Sequence, residues 1–152
     1  EGFHARFSAT AKEYAYRIRP GRFVPPELAP FVLAVPDRLD LERLQAATLR
    51  LPGRHDFSCF ALAGGSHRSP VRTLMRAAWE EEDSGLTLRI TGDGFLRGMV
   101  RGLVGTLLEV ALGQRSPAGF AALLAGGDRG AAGPTAAAHG LTLERIDYRA
   151  GG

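Results

Sequence analysis

The sequence is poor in several residue types, and each shortage argues against a class of protein. Its single cysteine, Cys59, excludes an internal disulfide and any zinc site built on several cysteines, and it is typical of a reducing cytoplasm. No apolar run is as long as a membrane span. Asparagine is absent, and Lys12 is the only lysine. The sequence therefore predicts a globular cytoplasmic protein without a membrane segment.

Most familiar catalytic motifs are also absent. The sequence has no Gly-x-Ser-x-Gly, no phosphate-binding Gly-x-x-x-x-Gly-Lys and no dinucleotide-binding glycine fingerprint. Its four histidines are scattered rather than set at metal-ligand spacing, so we expect no metal site. His55 and Asp56 are neighbours in the chain and do not face each other. We expect Asp56 to cap local backbone amides instead.

Arginine is what the chain has in excess. Of 19 basic residues, all but Lys12 are arginines, and the net charge is +3. A GC-rich genome would explain this bias as a whole, so the position of each arginine matters more than the total. The acidic run Glu80–Asp83 is predicted to be a solvated hairpin tip. The rest of the chain is then clearly positive, which favours a polyanionic partner.

The hydrophobic pattern of this 152-residue chain predicts one domain with strands and helices in alternation. The predicted strands are Phe7–Ile18 with an irregularity near Lys12, Val71–Trp79, Leu86–Ile90 and Leu141–Tyr148. The predicted helices are one capped by Asp40, one over residues 94–112, and a short one opened by Ser116. Residues 54–70 are predicted to be a long loop. This order predicts an α+β fold, an antiparallel sheet with helices packed on one face.

The most informative segment is the predicted glycine-bearing helix. Arg97 and Arg101 would lie one turn apart on one face, with Gly98, Gly102 and Gly105 allowing a close approach to the backbone. A guanidinium is almost never fully buried without a partner. The residues alone leave open whether Arg101 meets an internal carboxylate, solvent or a functional anion.

Several other segments suit RNA. Phe3–Phe7 alternates aromatic and basic residues, Arg22 continues a positive edge, and Gly64–Arg68 is a basic loop with glycines. Unpaired bases are held by stacking on aromatic rings together with arginine contacts. Tyr14 and Tyr16 are candidates for such stacking, with core packing as the alternative.

Taken together, these segments resemble the C-terminal half of the tRNA pseudouridine synthase A family, the bacterial pseudouridine synthases of the anticodon arm. The resemblance covers nearly the whole chain, and its blocks stand in the family's order and spacing. The blocks are Phe3–Tyr16, Gly53–Phe60, Ser69–Thr73, Phe95–Leu96 with Met99–Arg101 and Val104–Val110, and Thr135 with His139–Tyr148.

The resemblance implies the α+β pseudouridine synthase fold and an isomerase that acts on tRNA. Enzymes of this family convert uridines at positions 38–40 of the anticodon stem-loop to pseudouridine by detaching the base, rotating it and rejoining it through carbon. The resemblance implies no metal and no organic cofactor. It also implies an active cleft between two similar halves, and homodimers that bind tRNA across subunits.

The resemblance also implies roles for particular residues. Arg101 matches the arginine that pairs with the catalytic aspartate and keeps it ionised. Tyr14 matches a tyrosine placed against the target uracil, and Leu141 matches the apolar residue that packs on the base. Contacts with the RNA substrate are implied for Phe3, His4, Ala5, Arg6, Phe7, Arg22, Gly64, Gly65, Ser66, His67 and Arg68.

The chain departs from the family pattern in two places. The family's Arg-Thr-Asp-Ala-Gly segment, which carries the nucleophilic aspartate, is absent, and none of the seven aspartates lies in such a context. Residues 1–152 are therefore expected to be a C-terminal domain that binds tRNA and completes the active site but is inactive alone. Gly98 and Gly102 stand where relatives commonly have His and Asn.

Two other hypotheses remain open at this point. One is an RNA-binding module that keeps the groove without the chemistry. The other is a structural or dimerisation domain whose arginines reflect genome composition. Only the structural domain predicts no salt-sensitive RNA affinity, because phosphate contacts weaken steeply with salt.

Overall fold

The computed structural model describes residues 7–65 and 69–150. Its strands in these ranges are β1 (Phe7–Pro20), β2 (Leu33–Val35), β3 (Gly53–Asp56), β4 (Val71–Glu82), β5 (Gly85–Gly92) and β6 (Leu141–Ala150). They form one sheet in the order β2-β1-β5-β4-β3, with β6 also paired to β1. Every pair is antiparallel except β1 with β2. The long strand β1 therefore pairs with three strands, β2, β5 and β6.

Three helices accompany the sheet in the described ranges. They are α1 (Leu41–Thr48), α2 (Met99–Ala111) and α3 (Pro117–Ala122), and 3-10 turns lie at Ser58–Phe60, Arg129–Ala131 and Ala138–Gly140. The predicted caps are confirmed. The Asp40 carboxylate accepts a 3.1 Å bond from the amide of Arg43, and the Ser116 hydroxyl accepts one of 2.9 Å from the amide of Gly119.

The two faces of the sheet differ sharply in chemistry. On one face Tyr16, Ile18, Leu88 and Ile90 are fully buried and pack in one cluster with apolar residues of α2 such as Leu103. The other face carries ion-paired arginine and glutamate side chains, such as Arg89 with Glu80 and Glu82. The predicted α+β fold, with helices on one face of the sheet, is confirmed. No helix in the part of the chain described here is long and apolar enough to cross a membrane.

The irregularity predicted near Lys12 is confirmed. In the pairing of β1 with β6, the register shifts between Glu13 and Tyr14, with a second shift between Ala9 and Ala11. Such a shift adds local twist to the strand pair. It lies immediately before Tyr14, a predicted site residue.

The predicted loop over residues 54–70 is wrong at its start. Gly53–Asp56 forms β3, because its backbone pairs with β4, for example His55 with Arg72. Asp56 does cap local amides as expected, since its carboxylate accepts a 2.9 Å bond from the amide of Ser58. A short strand made by pairing with a distant segment leaves little local signal.

The acidic run lies at the hairpin as predicted, but only Asp83 belongs to the turn. Glu80, Glu81 and Glu82 belong to β4, and the turn starts at Asp83. The carboxylates of Glu80 and Glu82 bind the guanidinium of Arg89 at 2.9 and 2.8 Å. Cross-strand pairing with a cation therefore keeps this run extended.

The glycine-bearing helix begins later than predicted. It starts at Met99, so Arg97 and Gly98 precede it and do not share a helical face with Arg101. Gly98 has φ of +69°, a left-handed conformation that ends the preceding segment. The carbonyl of Arg97 accepts a 2.8 Å bond from the amide of Leu62, which holds this segment outside the helix.

Candidate active site

A cavity of about 170 Å³ opens where the middle of β1, the start of β6 and the approach to α2 meet. We call it the Tyr14 cavity. Its lining residues are Tyr14, Phe95, Leu96, Arg97, Gly98, Met99, Val100 and Leu141. The two residues implied to face the target base, Tyr14 and Leu141, thus lie in one cavity.

Tyr14 is held by its neighbours on three sides. It pairs with Ile90 of β5 and with Leu143 of β6, and its ring meets the ring of Phe95 edge to face at a centroid distance of 5.0 Å. Edge-to-face pairs of this kind fix ring orientation. The Tyr14 ring is half-buried and presents the aromatic surface of the cavity.

Tyr16, the other tyrosine of the strand, is a core residue. It is fully buried, and its hydroxyl donates a 2.6 Å hydrogen bond to the carbonyl of Ala137. Burial raises the pKa of Tyr16 to about 12, although the nearby positive charge of Arg101 acts in the opposite direction. Core packing is therefore the correct alternative for Tyr16.

Arg101 lies in the first turn of α2 and is half-buried. Its Nε donates a 2.8 Å hydrogen bond to the carbonyl of Ala136, and the amide of Ala136 donates one of 3.0 Å to the carbonyl of Arg101. The ion pairs among the described residues do not include Arg101. Arg101 does not itself line the Tyr14 cavity, whereas Met99 and Val100 next to it do.

The glycines of α2 do allow close approach, and what approaches is the chain's own backbone. A Cβ on Gly102 would lie 2.4 Å from the carbonyl oxygen of Phe60, and one on Gly105 would lie 1.7 Å from that of Pro134. Real Cβ atoms do not approach so closely, so both positions require glycine with this backbone. The 3-10 turn at Ser58–Phe60 and the segment before β6 are seated directly on the helix.

The predicted RNA-contacting segments are described only in part. Gly64 and Gly65 are exposed, and Gly64 has φ of +89°. Phe7 begins β1 and pairs with Ala150. The remaining predicted contacts lie outside the described residues: Phe3, His4, Ala5, Arg6, Ser66, His67 and Arg68.

Arg22 lies in a different place. It is exposed after the end of β1 and lines a second cavity, of about 560 Å³, together with residues such as Asp37 and Arg38. From Tyr14 to the end of β1 at Pro20 the strand already spans roughly 20 Å at its usual rise, and Arg22 follows in the bend after it. The structure does not bring Arg22 to the Tyr14 cavity, and its contact with RNA stays a prediction.

Sequence reasoning missed two groups at the site. Phe95 was part of the resemblance, but its ring contact with Tyr14 was not anticipated. The carbonyl of Ala136 had no signal, because it lies in an irregular Ala/Gly-rich segment and the contact uses only its backbone. Within residues 7–65 and 69–150, no group of three His, Cys, Asp or Glu side chains could hold a metal ion.

The chain is similar to known proteins of one family. Residues 47–149 match the family model described as tRNA pseudouridine synthase. The tRNA pseudouridine synthase A of Shouchella clausii is 43% identical over 146 residues, which cover 96% of this chain and 56% of the relative. The tRNA pseudouridine synthase A 1 of Desulfotalea psychrophila is 44% identical over 156 residues, which cover 97% of this chain and 62% of the relative. The tRNA pseudouridine synthase A of Bacillus licheniformis is 42% identical, over 96% of this chain and 59% of the relative.

The chain thus spans less than two thirds of the length of these relatives. The family match covers well over half of the chain, and it includes β3, β4, β5, the helices α2 and α3, and most of β6. The chain belongs to the tRNA pseudouridine synthase family.

Proposed function

We propose that this chain is the tRNA-binding, site-completing part of an enzyme that isomerises uridines at positions 38–40 of the tRNA anticodon stem-loop to pseudouridine. The observation that carries the proposal is the Tyr14 cavity, in which Tyr14 and Leu141 converge beside the helical turn that bears Arg101. The family match supports the reaction class.

In this proposal the Tyr14 cavity receives the uracil. Enzymes that modify a base within a paired stem take it out of the stack and hold it between aromatic and apolar side chains. Tyr14 offers the aromatic surface and Leu141 the apolar one, and Phe95 fixes the Tyr14 ring. The glycosidic bond between uracil N1 and C1′ of the sugar breaks, the base rotates in this cavity, and C5 forms a C–C bond to the same C1′. The proton that C5 then loses is balanced by the proton that N1 gains. Substrate and product therefore have the same atoms.

Arg101 binds the nucleophilic aspartate in this proposal. A guanidinium next to a carboxylate lowers the pKa of that carboxylate and fixes its orientation. No carboxylate of the described residues lies within ion-pairing distance of Arg101, since the ion pairs found there involve other arginines. The proposed aspartate comes from outside these 152 residues, on an N-terminal half of the enzyme.

Three consequences complete the proposal. The chain alone binds tRNA but is inactive, because it lacks the nucleophile. The complete enzyme is a cytoplasmic homodimer that binds the anticodon arm across subunits. It requires neither a metal nor an organic cofactor, as the resemblance to the family implies.

The test is pseudouridine formation on an unmodified tRNA transcript, with this chain alone and with an added Asp-bearing N-terminal half from a family member. We expect pseudouridine at positions 38–40 only when both halves are present. Turnover by this chain alone would mean that one of its own aspartates is the nucleophile. Tight RNA binding without turnover in either case would favour the RNA-binding module.

A further inference from the structure

Two arginines on the outer face of the sheet, Arg76 and Arg89, are paired with carboxylates. Arg89 contacts Glu80, Glu82 and Glu144 at 2.8 to 2.9 Å, and Arg76 contacts Glu80 at 2.9 Å. The positive charge of these two arginines is therefore largely cancelled within the protein, which leaves them little attraction for a polyanion.

Arg97 at the Tyr14 cavity has different partners. Its Nη1 donates a 2.8 Å hydrogen bond to the carbonyl of Ala63, and its own carbonyl accepts a 2.8 Å bond from the amide of Leu62. The chain packs so tightly here that a Cβ on Gly64 would lie 2.7 Å from the Nη1 of Arg97. A carbonyl fixes the position of a guanidinium without cancelling its charge.

The Arg97 side chain is also exposed, and it belongs to none of the ion pairs among the described residues. Arg72 adds a second cation at the other end of the Gly94–Arg97 segment. Its Nη1 donates to the carbonyls of Ser69 and Val71 at 2.6 and 2.7 Å. The nearest acidic residue in the chain, Asp93, uses its carboxylate to accept a 2.9 Å bond from the amide of Thr73.

We propose that Arg97 is a phosphodiester-binding residue at the edge of the Tyr14 cavity. It would hold the RNA backbone next to the uridine whose base enters the cavity. A planar guanidinium binds phosphate oxygens through two parallel donors, and backbone anchoring lowers the conformational entropy lost on binding. This inference rests on the proposed function, because it takes RNA as the occupant of the cavity.

The first test is the salt dependence of RNA binding by the 152-residue chain. The probe is a fluorescein-labelled anticodon stem-loop RNA, and its affinity is measured by anisotropy between about 50 and 200 mM salt. Arg97→Gln should weaken binding about tenfold and reduce the slope of log K against log salt by about 0.7 to 0.9, the value of one phosphate contact. Arg97→Lys, which keeps the charge, should retain most of the slope.

Arg76→Gln is the matched control, because it removes the same charge from an exposed arginine on the outer face. Its slope should equal that of the unmodified chain. If Arg97→Gln has the same slope as Arg76→Gln while the unmodified chain binds with a steep slope, this inference is wrong and the proposed function stands. An unmodified chain without salt-dependent RNA binding would overturn both.

A second test changes the RNA and compares the unmodified chain with Arg97→Gln. Replacing each phosphodiester beside the target uridine in turn with a neutral methylphosphonate removes the ligand of Arg97 from the RNA. At one of these positions the unmodified chain should lose about tenfold in affinity, and Arg97→Gln should lose nothing further. If the loss from the RNA change and the loss from Arg97→Gln add up at every position, Arg97 binds none of these phosphates. That result would overturn the inference even if Arg97→Gln weakens binding by disturbing the loop.

Discussion

Arg101 and Ala136 are joined by a reciprocal pair of hydrogen bonds. The Nε of Arg101 donates to the carbonyl of Ala136 at 2.8 Å, and the amide of Ala136 donates to the carbonyl of Arg101 at 3.0 Å. The pair ties the first turn of α2 to the segment that leads into β6. It also orients the guanidinium through a backbone carbonyl, which in the proposed function holds the arginine ready for the catalytic carboxylate.

The seating of this segment on α2 predicts a stability effect at Gly105. A Cβ there would lie 1.7 Å from the carbonyl oxygen of Pro134, so Gly105→Ala must push the segment off the helix. We expect a loss of about 2 to 3 kcal/mol in the free energy of unfolding, measured by urea denaturation. Gly130→Ala is the control, because a Cβ on Gly130 meets nothing within 4 Å, and it should change stability by less than about 0.5 kcal/mol. Equal stability of the two variants would contradict the close contact.

The ion pairs of Arg89 on the outer face predict that the free energy of unfolding depends on pH. The Thr87 hydroxyl and then Arg89 lower the pKa of Glu82, and Arg89 lowers the pKa of Glu144. A carboxyl with a lower pKa in the folded than in the unfolded chain stabilises the fold above its unfolded pKa. That contribution is lost as the pH falls through the folded pKa.

Arg89→Gln should therefore cost about 1 kcal/mol near neutral pH. The difference from the unmodified chain should shrink as the pH falls below 4.5, the ordinary pKa of glutamate. Urea denaturation at a series of pH values measures this difference, with Arg76→Gln as a variant of equal charge on the same face. A difference that grows toward acid pH would show that the sign of the coupling is wrong.

Tyr14 predicts a separation of activity from folding. Its ring is half-buried against Phe95, and it stands at the edge of the core rather than within it. In the enzyme complemented with an N-terminal half, Tyr14→Ala should lose turnover by about two orders of magnitude or more, because the base is no longer positioned. Its far-ultraviolet circular dichroism should remain that of the unmodified chain. Tyr14→Phe keeps the stacking ring and reports on the hydroxyl alone. Unchanged turnover of Tyr14→Ala would remove this residue from the site.

Features fixed by nearby residues were predictable from the sequence. Asp40 and Ser116 cap helices through amides three residues away, and the alternation in β5 needs only a pleated strand with one buried face. The start of α2 was not predictable, because it depends on a contact of Arg97 with Leu62, far away in the chain. The short strand β3 depends in the same way on its pairing with β4.

The candidate site was likewise predictable only in part. The resemblance singled out Tyr14 and Leu141, and the fold places both in one cavity, although their roles stay predictions. The partner of Arg101 could not be predicted, because a backbone carbonyl in an irregular segment carries no sequence signal. The close approaches at Gly102 and Gly105 were anticipated from glycine spacing, but the spacing could not show that backbone rather than ligand fills them.

The most direct test of the proposed function is the effect of Arg101→Ala on pseudouridine formation by the complemented enzyme. Turnover should fall by about two orders of magnitude or more, as expected when a preorganised charge at a reacting group is removed. Affinity for tRNA should change less than about threefold, because Arg101 binds the nucleophile rather than the RNA. The matched variant Arg76→Ala should keep full turnover. Turnover by Arg101→Ala equal to that of the unmodified enzyme would contradict the proposed pairing of Arg101 with the catalytic aspartate.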